Sequence, residues 1–415
     1  MRKSLSALTF ILFLNAAAWA QQGTRCQHSE AVAKLISEDP SQAISIKEAQ
    51  EQIKQIASNR KSTAGTTYQI PVVVHVIYNT AEQNISNASI YSQLDVLNAD
   101  YRRQNADLSN VPSHFSGMAA DVEIEFCLAH VDPNGDWSDG ITRTETTTTQ
   151  WSGTSTGMMS NTSGGHDPWP HSEYLNIWVV SLNPQFLGYA YPPGSSTNGA
   201  VIGYKNFGTV GSYLSNIYNK GRTATHEIGH WLNLFHPWGL GGENSDCTAS
   251  DQIDDTPTQA EPNYNCPTGN QISCDNGPNG DMYMNFMDYV NDNCMHMFTE
   301  GQKTRMRAAL EGPRASILVS QGCNLTSVYE SELSKNFSVY PNPAGHSINL
   351  DLAPWIIGDF NIHILNAQGQ RIHSESGLTK SSVSNGVEIS HLASGLYFLE
   401  LESGREKAVK RFTKL

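Results

Sequence analysis

The segment His226-Glu227-Ile228-Gly229-His230-Trp231-Leu232-Asn233-Leu234-Phe235-His236 constrains this chain more than any other. His226 and His230 are four residues apart, so on a helix they share one face and can aim two ring nitrogens at one ion. A straight helix could not swing His236 back to that ion. The three histidines meet only if the chain turns sharply near Asn233. A left-handed backbone makes that turn, most easily at glycine and next at asparagine. Neutral imidazoles at roughly 2.0–2.1 Å suit zinc. Glu227 follows the first of them, which sets its carboxylate beside the ion's open position. There it can take a proton from bound water and hand it to a leaving group.

The flanks predict an α+β unit. Arg222 to Leu234 reads as a helix, and Thr299 to Leu310 as another. The stretch between, 237–284, is full of Gly, Pro, Asn, Asp and Cys, and a loop that long needs staples. Cys247, Cys266, Cys274 and Cys294 can supply two, and their spacing leaves three pairings open. Cys127 and Cys323 could form a third bridge, which leaves Cys26 over. Upstream, Gln69–Tyr78, Val122–Val131, Leu175–Leu182 and Ala200–Tyr204 read as strands and Ile85–Tyr101 as a helix. Thr142–Thr149 is a Thr-rich strand suited to a sheet edge. Together they predict a mixed five-stranded twisted sheet with two long helices. Residues 21–62 carry one amphipathic helical stretch, and Lys54–Thr67 is polar and looks cleavable. After Cys323 a linker (324–335) leads to short strands over 336–415, the pattern of a small all-β sandwich.

Arg2 and Lys3, the apolar run Leu5–Leu14 and Ala18-Trp19-Ala20 make residues 1–20 a signal peptide, with Gln21 the first mature residue. The run is too short to span a bilayer comfortably, so no transmembrane segment is expected in the mature chain. Export brings the cysteines into an oxidising space. A net charge of −14 without a Lys/Arg-rich run makes nucleic acid a poor partner. His75 reads as a core or edge histidine. His166 and His171, beside Trp169 in a loop, need no metal.

With these residues in hand, the histidine segment resembles the extended zinc motif of metzincin metallopeptidases, with Asn233 where glycine is usual. Asn285-Phe286-Met287-Asp288-Tyr289 resembles the family's methionine turn. By that analogy Met287 is an apolar floor beneath the ligands, and the Tyr289 hydroxyl assists the oxyanion. Phe126-Cys127-Leu128-Ala129, Asp255-Thr256-Pro257 and Cys294-Met295-His296-Met297-Phe298-Thr299 look like the pappalysin family, in its cytophagalysin/ulilysin-like branch. The resemblance covers about 68–323 and implies a metzincin-like catalytic domain over 63–323 with zinc on His226, His230 and His236. It also implies the disulfides Cys247–Cys274 and Cys266–Cys294, and calcium near Asp251, Asp254, Asp255 and Thr256. Arg25-Cys26 resembles the family's pro-segment motif, whose thiolate fills the fourth zinc position, although Gln27 stands where glycine is expected.

Residues 336–415 resemble the sorting domain of type IX secretion in Bacteroidetes, on Val339-Tyr340-Pro341-Asn342-Pro343, Leu392-Ala393-Ser394-Gly395-Leu396-Tyr397 and the basic end Lys410-Arg411. The two resemblances together imply an exported zinc endopeptidase made as an autoinhibited zymogen. Its partners would be protein or peptide substrates, paired along the edge near Thr144–Thr149, and the type IX secretion machinery. The competing expectations are a catalytically inactive surface-binding module and a zinc amidase.

Overall fold

The computed structural model describes residues 25–59, 65–239, 247–324, 332–356, 358–366, 369–404 and 406–415. The expected signal peptide and most of the expected linker lie outside these. The chain divides into two units, Met1–Asn324 and Leu325–Leu415. The first holds helices α1 (His28–Glu38), α2 (Ser41–Asn59), α3 (Asn87–Tyr101), α4 (Arg222–Trp231) and α5 (Glu300–Glu311). Its strands are β1 (Tyr68–Tyr78), β2 (Ile124–Leu128), β3 (Ile141–Glu145), β4 (Leu175–Val180), β5 (Gly188–Ala190) and β6 (Ala200–Gly203).

These strands form one sheet in the order β2-β1-β4-β6-β5, with β3 also on β1. All pairings are parallel except that of β5 with β6. Six strands stand where the sequence predicts five, the added one being the three-residue β5, and one edge position is filled twice. β2 pairs with Tyr68–Val72 and β3 with Val74–Tyr78. The chain leaves and rejoins β1 at Gly140, where φ is +71° and a Cβ would come within 2.7 Å of the Ala129 nitrogen. Only glycine fits so close an approach. Local pattern cannot reveal that two segments share one partner.

β1 is buried from Ile70 to Ile77, as a strand with cover on both faces must be. Alternate residues serve two layers. Val72, Val74 and Val76 pack with Leu94 and Leu97 of α3 and Ile228 of α4. On the opposite face Ile77, Trp178 and Val180 pack with Ala31 and Leu35 of α1. The N-terminal segment is therefore part of the core. It forms two helices where the sequence pattern predicts one, because Pro40 forces Asp39 into an extended conformation (φ −140°, ψ 97°). Ile53 of α2 then docks on Ala308 and Ala309 of α5.

Three disulfides form: Cys127–Cys323, Cys247–Cys274 and Cys266–Cys294. Cys26 is free and buried. The second unit has β7 (Phe337–Tyr340), β8 (Ser347–Leu352), β9 (Phe360–Asn366), β10 (Arg371–Leu378), β11 (Val387–Glu388), β12 (Gly395–Ser403) and β13 (Glu406–Lys414). They make two sheets, β10-β9-β12-β13 and β11-β8-β7. Leu350, Ile362, Ile364, Leu399 and Phe412 fill their shared core. Among the described residues no helix is long and apolar enough to cross a membrane.

Candidate metal centre

α4 presents His226 and His230 and ends at Trp231. Asn233 then adopts φ +72°, and the Leu234 amide bonds back to the Gly229 carbonyl at 2.9 Å, as in other helix ends closed by a left-handed residue. That reversal brings His236 to the other two. The three Nε2 atoms stand 3.1, 3.1 and 3.3 Å apart. Nδ1 of His226 lies 2.8 Å from the Phe286 carbonyl, and Nδ1 of His230 lies 2.8 Å from the Leu234 carbonyl. A carbonyl only accepts, so these Nδ1 atoms carry the protons and the matching Nε2 atoms are bare lone pairs. Burial pushes all three imidazoles well below their usual pKa, so they are neutral. Bare acceptors facing one another are relieved by a cation. Ligands at zinc distance on a tetrahedron stand about 3.3 Å apart, so the residues present fit such an ion.

Met287 is fully buried beneath the helix. Its sulfur sits 2.5 Å from where a Cβ on Gly229 would be, so any larger residue above it would have to push the methionine aside. The turn's backbone also acts directly, since Phe286 supplies the carbonyl that orients His226. The Tyr289 ring packs on His226, His236 and Trp238, and its hydroxyl donates to the Cys26 carbonyl at 3.3 Å.

Glu227 is buried, and burial pushes its carboxyl up to about 8 against the pull of the Cys26 hydrogen bond and Arg25. Its Oε2 is 3.3 Å from the Cys26 thiol. Cys26 Sγ and the three histidine nitrogens lie within 4.8 Å of one another. The segment around Cys26 reaches this place as an added strand on β5. Leu187 N–H donates to the Arg25 carbonyl (3.0 Å), and Gln27 N–H donates to the Gly188 carbonyl (3.1 Å). The open edge beside the metal centre is thus β5. This corrects the expected edge near Thr144–Thr149, for Thr144 pairs with Ile77 on the other side of β1.

The role of Arg25 could not be read from the sequence. Its guanidinium bonds Asp292 Oδ1 at 3.2 Å and the Val290 carbonyl, and lies over the Tyr218 ring. Both members of the ion pair are buried. Asp292 Oδ2 meanwhile accepts the backbone N–H groups of Lys220 and Arg222. It thereby caps α4, whose N-cap, Gly221, has no side chain for the purpose. Partners 267 residues apart leave no local signal. His28, also missed, stacks on His230 with 4.1 Å between ring centroids.

The expected calcium residues come only partly together. Thr256 Oγ1 donates to Asp251 Oδ2 at 2.7 Å, while Asp254 is exposed. His75 is buried with both ring nitrogens hydrogen-bonded, to Thr142 and Asn176.

Comparison with known proteins agrees with this geometry. The peptidase M43 family model, described as pregnancy-associated plasma protein-A, matches residues 159–311. A secretion-system C-terminal sorting domain matches 338–414. An extracellular metalloprotease of Pyricularia oryzae is 31% identical over 303 residues, covering 70% of this chain and 90% of that one. Mature mirolysin of Tannerella forsythia, solved with a cleaved peptide, is 46% identical with a TM-score of 0.61 over 63% of this chain and 99% of that one. A promirolysin point mutant is 42% identical with a TM-score of 0.67 over 73% and 100%.

Fold, site and relatives define a secreted metallopeptidase made as a zymogen and carrying a type IX sorting tail. Within that class, the chain belongs to the pappalysin family.

Proposed function

We propose that the chain is a zinc endopeptidase that cuts polypeptides next to a basic residue. The observation that carries this is the seating of the chain's own segment. The Cys26 sulfur faces the three histidine nitrogens, its carbonyl meets Tyr289, and Glu227 lies alongside. A zinc ion held by His226, His230 and His236 would polarise water and the substrate carbonyl there. Glu227 takes the proton from the attacking water and passes it to the leaving amine. Its carboxylate lies beside the ring nitrogens of the three histidines, within reach of a water held there. Tyr289 donates to the substrate oxygen as negative charge gathers on it. Met287 holds the ligand helix from below. Residues 21–62 block the site until they are removed from the 63–323 domain, and 336–415 directs export.

The basic preference rests on Arg25. A substrate side chain entering the same socket meets the Asp292 carboxylate, the Val290 carbonyl and the Tyr218 ring, which together suit arginine or lysine. Calcium rests on Asp251 alone, whose carboxyl burial raises to about 7 and which a cation would hold ionised. A rise in melting temperature on adding calcium, lost in Asp251→Asn, checks it.

The test of function is cleavage of a denatured protein by the chain after limited proteolysis of its pro-segment, with and without a chelator. Chelator-sensitive cutting that Glu227→Gln reduces by about 10³-fold or more, with zinc retained, supports the reading. Fragment ends without adjoining arginine or lysine remove the specificity. A zinc-loaded, processed chain that cuts no polypeptide removes the peptidase.

A further inference from the structure

Beyond the Asp292 socket the cleft continues into a groove of 480 Å³ that no catalytic group uses. Two residues belong to both places. Leu187 lines the groove, and its N–H holds the Arg25 carbonyl at 3.0 Å. Tyr218 lines it too, and its ring lies under the Arg25 guanidinium. A chain extended along β5 advances about 3.3 Å per residue. The residue one or two beyond the socket, on the side away from the histidines, therefore reaches the groove.

The lining has a definite chemistry. Phe186, Tyr213, Leu214, Ile217 and Tyr218 give it apolar and aromatic walls. Ile217 is 43% exposed there, so its side chain is available to an apolar group entering the groove. No Asp or Glu lines the groove, although the chain has 40 of them against 26 basic residues. The one charged lining residue is Lys205, which makes no ion pair among the described residues and faces only the Tyr204 ring, at 5.7 Å.

We propose that this groove is a second substrate subsite, taking a large apolar or aromatic side chain from the residue one or two beyond the basic one in the Asp292 socket. It rests on the peptidase reading above. Lys205 stands at its rim and makes a second basic residue unwelcome there. The enzyme would then recognise a pair, a basic residue followed outward by an apolar one.

The test uses the full chain, activated by limited proteolysis, on peptides with one fixed arginine. The two positions on the side of arginine away from the cut are set in turn to Gly, Leu, Phe and Lys. At one of them, Phe or Leu should exceed Gly in kcat/KM by about tenfold or more, and Lys should fall below Gly. Ile217→Asp should bring the Phe-to-Gly ratio close to one. The chain's circular dichroism and zinc content report whether that variant folds, and Leu214→Asp repeats the measurement at a second lining residue. Cleavage beside arginine at a rate indifferent to both outer positions overturns the subsite and leaves the peptidase reading intact. Failure to cut any of the peptides counts against that reading and takes the subsite with it.

Discussion

Four metal-capable side chains converge in the first unit, Cys26 with His226, His230 and His236, and three in the second, His363 with Glu400 and Glu402. Donor types and spacing alone do not tell the groups apart. Their surroundings do. Lys407 Nζ stands 2.6 Å from Glu402 and 3.7 Å from Glu400, and Arg371 stands 3.1 Å from Glu400. Two carboxylates already have two cations, and the Nδ1 of His363 is on Ser374. In the first unit the neighbouring cation, Arg25, is turned away to Asp292. Its histidine nitrogens are left buried and facing one another. A metal site is thus marked by the lack of a cation or donor facing its lone pairs as much as by the ligands present.

The largest effect expected from this contrast is in metal content. Zinc measured by mass spectrometry should be one per chain, near zero in His226→Ala and still one in His363→Ala. Bound zinc at a thousandfold over its Kd adds about 4 kcal/mol. Its removal should therefore lower the melting temperature by roughly 10 °C in the first unit. Zinc lost from His363→Ala, with the histidine trio intact, would reverse the comparison.

The next effect tests where Arg25 points. Arg25→Ala leaves Asp292 buried without its cation, a change of about 3–5 kcal/mol for a buried pair. Part of that loosens the segment on β5. Uncut Arg25→Ala should hydrolyse a short arginine peptide about 10²-fold faster than the uncut parent. Arg25→Lys, keeping the charge, should stay near the parent. An uncut Arg25→Ala chain as silent as the parent would mean that Cys26 and the helices α1 and α2 hold the segment unaided.

How much of this was legible in the sequence depends on the range of the contact. The bend at Asn233 could be read because two histidines on one side of it, His226 and His230, and one on the other, His236, had to meet. The second unit's strands could be read because short apolar segments recur there between turn residues. Arg25 on Asp292, Cys26 on β5 and the doubled edge of β1 could not, because each joins segments whose local patterns are complete without the other. The helix break at Pro40 is open to reading, yet the apolar spacing of 32–56 continues across it. There periodicity points one way and the proline another, and the proline decides.

His75 sharpens the comparison from a third side, as a buried histidine that needs no ion. Thr142 Oγ1 bonds its Nδ1 at 2.8 Å, and its Nε2 is 2.9 Å from Asn176 Oδ1. Burial lowers its pKa from 6.5 to about 3. The unfolded chain therefore takes up the proton first as pH falls. The stability owed to neutral His75 is complete above pH 6.5 and is lost progressively between 6.5 and about 3. On metal-free protein, denaturant unfolding of the parent should lose up to about 1.4 kcal/mol per pH unit more than His75→Gln across that window. Parallel curves would show that His75 is not held neutral.

The smallest expected effect concerns the bend that makes the first group possible. Asn233 is fully buried at φ +72°, and neither atom of its amide has a hydrogen-bond partner among the described residues. Two costs are combined there. A left-handed backbone costs an ordinary L-residue roughly 1–2 kcal/mol, less for asparagine, and an unsatisfied buried amide costs about 1–3 kcal/mol. Asn233→Gly removes both and gives back roughly 0.5–1 kcal/mol through the freer unfolded chain. The balance is a gain of about 1 kcal/mol, or roughly 2–4 °C in the melting temperature of the zinc-loaded protein. Asn233→Ala removes the amide but keeps the backbone cost of about 1–2 kcal/mol, offset in part by its stiffer unfolded chain, so it should fall below the glycine variant by roughly 0.5–1 kcal/mol. Alanine as stable as glycine would mean that the backbone reversal is not what limits this position. His236 would then be held by its packing on Trp238 and Tyr289, and the choice of asparagine over other small residues would carry no energetic weight.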